Sequence, residues 1–289
     1  MAAIACRCTA VVKVQNKKGD SMRIAFVGGG NMARAIIAGL TATGFDGSSI
    51  AVKDHNTDKL EALQKDYGVC VYREDGAWIS EADLVVLAVK PQGLAACLEG
   101  CARWIAPEAT VLSIAAGVST DTLRRRTGSG HIVRAMPNTP AMVRQGFTGL
   151  FAVPEATDTD RERAQTVMAA VGRCLWLDDE DAMHAVTAGP GSGVAYVFLF
   201  MQGLEEALLG QGLDADKARA LTLATVRGAS ALADASDASF EELRARVTSK
   251  GGTTAKAIEA FEDAGLRRII DTAAKACAAR SREMAKLFK

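Results

Sequence analysis

A glycine-rich turn between a short apolar run and an amphipathic segment constrains the fold of this chain more than any other feature. The apolar run ends at Val27, the motif Gly28-x-Gly30-x-x-Ala33 follows, and helical spacing of apolar residues continues to Leu40. In such a motif the first glycine permits a tight turn, the second lets a pyrophosphate approach the backbone, and the small third residue lets the helix pack on the strand. We therefore expect a strand–turn–helix unit that holds a dinucleotide diphosphate at the positive N-terminus of the helix.

The residues at the end of the second predicted strand bear on which dinucleotide binds. Asp54 follows this strand, where an acidic side chain can accept a hydrogen bond from the ribose 2′-hydroxyl of NAD and would repel the 2′-phosphate of NADP. Four neighbours could instead bind that phosphate, namely Lys53, His55, Asn56 and Lys59. These residues alone leave the choice between NADH and NADPH open.

Composition limits the class of protein. The 289 residues are 49% hydrophobic and 24% charged, and the formal net charge is zero. This length allows two domains, each with its own core. The even charge balance argues against nucleic-acid and membrane-surface partners, because both usually need a basic face. The most apolar run, 194–201, is too short to span a bilayer.

The seven cysteines and the first residues of the chain carry two further expectations. An odd number of cysteines at scattered spacing argues against a disulfide framework and favours a reduced, cytoplasmic setting. Cys97 and Cys101 lie one helical turn apart and could meet a metal, but they lack a second pair of ligands, so we interpret them as buried thiols and expect no metal. Residues 1–21 precede Met22 and read as a disordered leader.

Strands and helices alternate through the first half of the chain, and helices fill most of the second half. Apolar runs predict strands over 24–27, 50–53, 84–89, 110–114, 131–134, 147–152 and 174–177. Helical periodicity predicts helices over 32–43, 57–67, 94–102, 161–171, 194–210, 214–235, 240–247, 254–264 and 266–288. The predicted fold class is α/β: an N-terminal Rossmann-type doubly wound parallel sheet over 22–179, then an all-helical domain over 180–289.

Two glycine-rich segments in the helical half, 187–196 and 247–254, are each expected to precede a helix. Hydroxyls and free N–H groups at a helix start can hold a small carboxylate, and plain helix capping is the alternative. For the block 249–254 the two interpretations stay equally open.

Six segments, taken together and in order, resemble the pyrroline-5-carboxylate reductases. They are 26–33, 88–92, 113–118, 134–140, 191–196 and 249–254. Single segments are shared with other dehydrogenases, whereas the ordered set is specific to this family. The resemblance implies reduction of 1-pyrroline-5-carboxylate to L-proline by hydride transfer from NAD(P)H, the last step of proline biosynthesis.

The resemblance also implies roles for individual residues and for the assembly. The cofactor, NADPH in preference to NADH, is expected to contact Gly28, Gly29, Gly30, Asn31, Met32, Asp54, His55, Asn56, Ala88, Val89, Lys90, Pro91, Ala115, Ala116 and Gly117. Substrate is expected to contact Ser249, Gly252, Thr253 and Thr254, with the N–H groups of Gly252 and Thr253 on its carboxylate. Thr254 is the expected catalytic residue, at the ring nitrogen. We expect a homodimer through the C-terminal helices, able to assemble into a decamer made of five dimers, with no nucleic-acid or membrane partner.

The chain departs from the family pattern at three positions. Lys250 and Val194 replace usual prolines, and Asp75 replaces a usual asparagine near the adenosine. Lys250 either adds positive charge near the substrate carboxylate or points into water.

Two rival functions remain. A β-hydroxyacid dehydrogenase would need a catalytic lysine after a Gly-Gly-x-Gly turn, which the second half of the sequence lacks. A non-catalytic dinucleotide-sensing protein would not need the carboxylate-type segments of the second half.

Overall fold

The computed structural model describes residues 22–288, so the predicted leader, 1–21, lies outside the described residues. The strands are β1 Ile24–Val27, β2 Ile50–Lys53, β3 Cys70–Tyr72, β4 Leu84–Leu87, β5 Thr110–Ser113, β6 Ile132–Met136, β7 Gly146–Ala152 and β8 Gly172–Trp176. The helices are α1 Asn31–Ala42, α2 Thr57–Tyr67, α3 Pro91–Cys101, α4 Thr120–Thr127, α5 Asp158–Ala169, α6 Met183–Val186, α7 Ser192–Gly210, α8 Ala215–Asp234, α9 Phe240–Arg246, α10 Thr253–Asp263 and α11 Leu266–Leu287.

All eight strands of the described chain form one sheet, in the order β3-β2-β1-β4-β5-β6-β7-β8. Strands β1 to β6 pair in parallel, in the 3-2-1-4-5-6 order of dinucleotide-binding folds, and the order reverses direction between β1 and β4. The structure thus confirms the predicted Rossmann-type fold followed by helices. A wholly parallel sheet is wrong, because β7 runs antiparallel to β6. Only residues 137–145 connect these strands, and a parallel crossover needs a longer connection.

Two core layers cover the two faces of the sheet. Successive residues of a strand point to opposite faces, so Ile24 and Phe26 of β1 join one apolar cluster while Ala25 and Val27 join the other. Strand β4 divides its residues in the same way. Burial on both sides explains why these strands read as unbroken apolar runs in the sequence.

A buried carboxylate, Asp160, ties the beginning of β5 to α5. Its side chain accepts hydrogen bonds from the Thr110 hydroxyl at 2.5 Å and from Thr157, and it contacts His131 Nδ1 at 2.8 Å. Burial raises the pKa of Asp160, but the hydrogen bonds from Thr110, His131 and Thr157 together outweigh burial, so the pKa lies below its ordinary value. Asp160 is about 1% exposed. Because its pKa is lowered, its side chain is an ionised carboxylate at neutral pH, and the hydrogen bonds to it stabilise the fold.

Replacing Asp160 by asparagine should lower the free energy of unfolding at neutral pH by about 2 kcal/mol, since buried donors lose a charged acceptor. A folded-state pKa below the unfolded value of about 3.9 means that this contribution is fully present above that value. It is lost as the pH falls through the folded pKa. Thermal unfolding of both proteins across the acid range checks this: the gap in Tm should shrink below about pH 4, and a constant gap would contradict it.

The described chain divides into two compact units. The first unit comprises 22–183 together with 284–288, and the helical unit comprises His184–Glu283. The sequence pattern placed a boundary near Glu180. Within the helical unit, α7 exposes large apolar side chains, among them Phe198 at 62% and Leu199 at 71%.

A π-helical turn, Thr187–Gly191, joins α6 to α7. The segment 187–196 holds this turn and the beginning of α7 at Ser192, as predicted. Because it lies within the continuous helix Glu180–Gly210, and not at a free helix start, it is a poor candidate for a carboxylate site. The continuous helix Glu180–Gly210 has 31 residues. Among residues 22–288 it is the one helix that is both long enough and apolar enough to cross a bilayer, judged by length and composition alone. The expectation from sequence rested on the uninterrupted apolar run 194–201, which is only part of this helix.

Candidate active site

The turn after β1 lies where the strand order reverses. Gly28 has φ +109°, and a Cβ at this position would come within 2.8 Å of the Ala88 carbonyl oxygen. The Gly28 N–H donates to the Lys53 carbonyl at 2.8 Å. Backbone conformation and the neighbouring strand end therefore both require glycine here. In sheets of this kind, ligands bind outside the carboxyl ends of the strands at this reversal.

The N-terminus of α1 has the shape and polarity that a diphosphate needs. Gly30 is the N-cap residue, and apart from Gly30 and its two chain neighbours no heavy atom of residues 22–288 lies within 4 Å of a Cβ built on it. The first intrahelical bond runs from Arg34 N–H to the Gly30 carbonyl, so the N–H groups of Asn31 and Met32 precede it. Ala33 is buried in the core beneath the helix. These features fit a dinucleotide diphosphate.

Asp54 fastens the glycine-rich turn to the end of β2. Its Oδ2 accepts from Gly29 N–H at 2.9 Å, and its Oδ1 accepts from Asn56 N–H at 2.9 Å. Both carboxylate oxygens therefore have backbone donors. His55 and Asn56 are exposed beside the turn.

Lys53 forms an ion pair with a carboxylate of the first unit. Its buried ammonium group lies 2.5 Å from Asp75 Oδ2, between the ends of β2 and β3. This pairing argues against a role for Lys53 in binding a 2′-phosphate. Asp75 stands at a position where the resemblance leads us to expect an asparagine. Its carboxylate is the group that pairs with the Lys53 ammonium group.

The ends of β4 and β5 provide two further predicted segments. Residues 88–91 lead into α3, with Pro91 as its first residue and Lys90 exposed as the N-cap. Residues 115–117 follow β5, and Gly117 has φ +77°. A Cβ at Gly117 would lie 3.6 Å from Phe288, so the end of the chain packs on this loop within the first unit. The fold thus gathers all the predicted cofactor residues at the carboxyl ends of β1, β2, β4 and β5.

The predicted substrate residues lie in the turn before α10 and in its first two positions, within the helical unit. Gly252 is the N-cap of α10, and a Cβ there would overlap the Ser249 hydroxyl. The Gly252 N–H donates to the Ser249 carbonyl at 3.0 Å, so it does not hold a carboxylate as the sequence suggested. The first intrahelical bond starts at Lys256 N–H, which leaves the N–H groups of Thr253 and Thr254 before it. Thr254 and Lys250 are both exposed.

Helix starts differ in how their N–H groups are satisfied. A side-chain cap and an acidic residue in the first turn occur at α2, α4, α5, α8 and α9. Within 22–288, α1, α3, α7 and α10 begin with neither feature, and α7 continues directly from the π-helical turn Thr187–Gly191. Among these four, α1 and α10 are the helix starts that the sequence predicts for the diphosphate and for the substrate carboxylate. A helix N-terminus with no acidic side chain of the protein beside it favours the binding of an anion from a ligand.

Other polar groups play no part in these turns. Cys97 and Cys101 are hydrogen-bonded to each other, which lowers the pKa of Cys97 and raises that of Cys101. No group of three metal-ligating side chains occurs in the described part of the chain.

A groove of about 270 Å³ between α7 and α8 is lined by apolar and polar side chains of those helices, outside the predicted site residues. Val194, at a usual proline position, lies inside α7.

Comparison with known proteins matches both units. A family model described as pyrroline-5-carboxylate reductase dimerisation matches residues 180–284, and one described as NADP oxidoreductase, coenzyme F420-dependent, matches residues 23–117. A pyrroline-5-carboxylate reductase of Pseudomonas aeruginosa is 40% identical over 264 residues, covering 91% of this chain and 97% of that protein.

Solved structures show the same similarity. A pyrroline-5-carboxylate reductase from Coxiella burnetii is 39% identical, with a TM-score of 0.88, over 92% of this chain and 99% of that one. The pyrroline carboxylate reductase of Plasmodium falciparum, solved with NADP bound, has a TM-score of 0.82 over 92% of this chain and 100% of that one; at 24% identity it supports the fold alone. Because the bacterial relatives share about two fifths of their residues with nearly the whole of this sequence, the chain belongs to the pyrroline-5-carboxylate reductase family.

Proposed function

We propose that this chain reduces 1-pyrroline-5-carboxylate to L-proline with NADPH, the last step of proline biosynthesis. One observation carries the proposal: α1 and α10 begin without a side-chain cap or an acid in the first turn, and both starts lie in segments typical of the family. The first unit would bind the dinucleotide and the helical unit the substrate. Relatives named for this reaction match nearly the whole chain.

NADPH fits the turn after β1 better than the acidic Asp54 alone suggests. Both oxygens of Asp54 accept backbone N–H groups, so the carboxylate acts mainly as a clamp on the glycine-rich turn. Exposed His55, Asn56 and Lys59 stand beside it for a 2′-phosphate. The match to an NADP oxidoreductase family model supports the same choice.

The residues of the turn before α10 would bind and orient the substrate. When bound, NADPH supplies the hydride. The N–H groups of Thr253 and Thr254 would hold the substrate carboxylate, and the Thr254 hydroxyl would contact the ring nitrogen. A protonated imine carbon is already electrophilic, so the chain needs no strong general base and works mainly by positioning. Lys250, exposed in the same turn, adds positive charge on the side of the carboxylate.

Oxidation of NADPH by the purified chain, with and without synthetic 1-pyrroline-5-carboxylate, tests this function. We expect oxidation only with the imine and formation of L-proline. NADP-dependent oxidation of β-hydroxy acids would instead favour the β-hydroxyacid dehydrogenase alternative. NADPH binding with no turnover of either substrate would favour the non-catalytic sensor.

A second copy of the chain would cover the apolar surface of the helical unit. Large apolar side chains of α7 are exposed, and the family model over residues 180–284 is described by dimerisation. Apolar surface of this extent is typical of an interface. We propose a homodimer through the helical unit, with a decamer made of five dimers as the larger assembly and a cytoplasmic location.

Replacing Leu199 by aspartate should convert the wild-type oligomer into single chains, because a carboxylate would be buried without a partner at the interface. Light scattering at micromolar concentration measures the particle mass. The matched control is Leu175→Asp, which adds the same charge at a half-exposed apolar position on β8, an edge strand of the first unit. A Leu199→Asp protein as large as the wild type, or a wild type that is already a single chain, would contradict the dimer.

A further inference from the structure

Glu180 binds two parts of the first unit that are far from it in sequence. Its Oε1 accepts from Thr120 N–H and from Arg134 Nη1, both at 2.9 Å, and its Oε2 accepts from the Thr120 hydroxyl at 2.6 Å. The side chain of Arg134 is 5% exposed and that of Glu180 is 24% exposed. Hydrogen bonds to a charged group are stronger than neutral ones, particularly in partly buried surroundings. The carboxylate is therefore held firmly.

The contact with Thr120 fixes the end of the loop that follows β5. Thr120 is the first residue of α4, and the loop 114–119 leads directly into it. Ser119 caps α4 through its hydroxyl, which accepts from Thr122 N–H at 3.2 Å. Glu180 adds a second cap at the same helix start and links it to Arg134 on the neighbouring strand β6. The far end of the loop is thus tied to the sheet.

The same loop carries Ala115, Ala116 and Gly117, which the sequence predicts as cofactor contacts. In this fold the adenosine ribose binds at the end of β2, and β5 lies on the opposite side of β1, so the nicotinamide half of the cofactor is expected beside this loop. Gly117 has φ +77°, a backbone conformation that glycine adopts readily and other residues rarely. A loop of this kind keeps one shape only if its ends are fixed.

We propose that Glu180 is a positioning residue that holds the loop 114–119 in the shape that accepts the nicotinamide half of NADPH. The inference rests on the proposed function, because it takes NADPH as the ligand of the first unit. Glu180 acts through Thr120 and touches neither substrate nor cofactor. Loss of its charge should disturb nicotinamide placement and leave the adenosine half unaffected.

The test compares NADPH with 2′,5′-ADP, which carries the adenosine and the 2′-phosphate but no nicotinamide. In Glu180→Gln we expect the Kd for NADPH to rise about tenfold and kcat to fall about tenfold, while the Kd for 2′,5′-ADP stays within about twofold of wild type. Calorimetric titration measures both affinities. Thr120→Val, which removes only the hydroxyl bond, should shift NADPH binding in the same direction by less.

Asp160→Asn is the matched control, since it removes the charge of a second hydrogen-bonded carboxylate of the first unit, at the opposite end of β5. It should lower Tm and leave both affinities unchanged. Equal weakening of NADPH and 2′,5′-ADP in Glu180→Gln, or wild-type affinity for both, would overturn the positioning role. Failure of the proposed function would look different, because wild-type protein would then not oxidise NADPH with the imine.

Discussion

Alanine in place of Gly30 is expected to leave the protein folded and to weaken NADPH binding about a hundredfold, or about 3 kcal/mol. Gly30 has φ −70° and ψ 178°, which alanine adopts without strain, and a Cβ there meets no heavy atom of residues 22–288. The added methyl group would lie where the diphosphate is expected to approach the α1 N–H groups. The free protein therefore tolerates the change and the complex does not.

Gly44→Ala is the matched control, with the opposite expected result. Gly44 has φ +94° and open space around it, so alanine there should cost roughly 1–2 kcal/mol of stability without touching the turn after β1. Thermal unfolding and NADPH titration of both variants separate the two effects. Unchanged NADPH affinity in Gly30→Ala would remove the diphosphate from this helix start.

Replacing Thr254 by alanine is expected to lower kcat about a hundredfold and to leave the affinity for NADPH unchanged. Thr254 is the second residue of α10, exposed at a helix start that has no side-chain cap among the described residues. Its hydroxyl is the proposed partner of the substrate nitrogen, while its N–H remains in any variant. Steady-state kinetics with varied imine and varied NADPH measure the change.

Two further variants show whether the hydroxyl itself matters. Thr254→Ser keeps the hydroxyl and should restore most of the rate. Thr272→Ala removes another exposed threonine hydroxyl of the helical unit, one that donates to the Arg268 carbonyl, and should leave kcat unchanged. Wild-type turnover in Thr254→Ala would exclude Thr254 from the mechanism.

Local sequence patterns were sufficient for the elements nearest the glycine-rich turn. Strands β1 and β2 and helix α2 have the bounds that their periodicity predicted, because an apolar run, a turn motif and helix caps all act over a few residues. Strand β3 and helix α4 escaped prediction. The three residues of β3 lie in a short apolar run, 69–72, which is not among the predicted strands. Helix α4 is almost entirely polar, so it has no apolar period.

Contacts between distant residues could not be predicted in this way. Lys53 meets Asp75 across 22 positions, and Glu180 meets Arg134 and Thr120 across 46 and 60. Nothing in the neighbourhood of Glu180 distinguishes it from an ordinary surface acid. The antiparallel direction of β7 depends on the length of the connection from β6. The π-helical turn depends on how α6 and α7 join. Such features follow from tertiary packing, which a single sequence does not display.

The most direct test of the central claim follows the hydride itself. The purified chain is supplied with NADPH that carries deuterium at both C4 positions of the nicotinamide and with unlabelled 1-pyrroline-5-carboxylate, and the product is examined by mass spectrometry and NMR. We predict L-proline with one deuterium on the ring carbon that was double-bonded to nitrogen. Unlabelled proline, or oxidation of NADPH without proline, would contradict the proposed reaction.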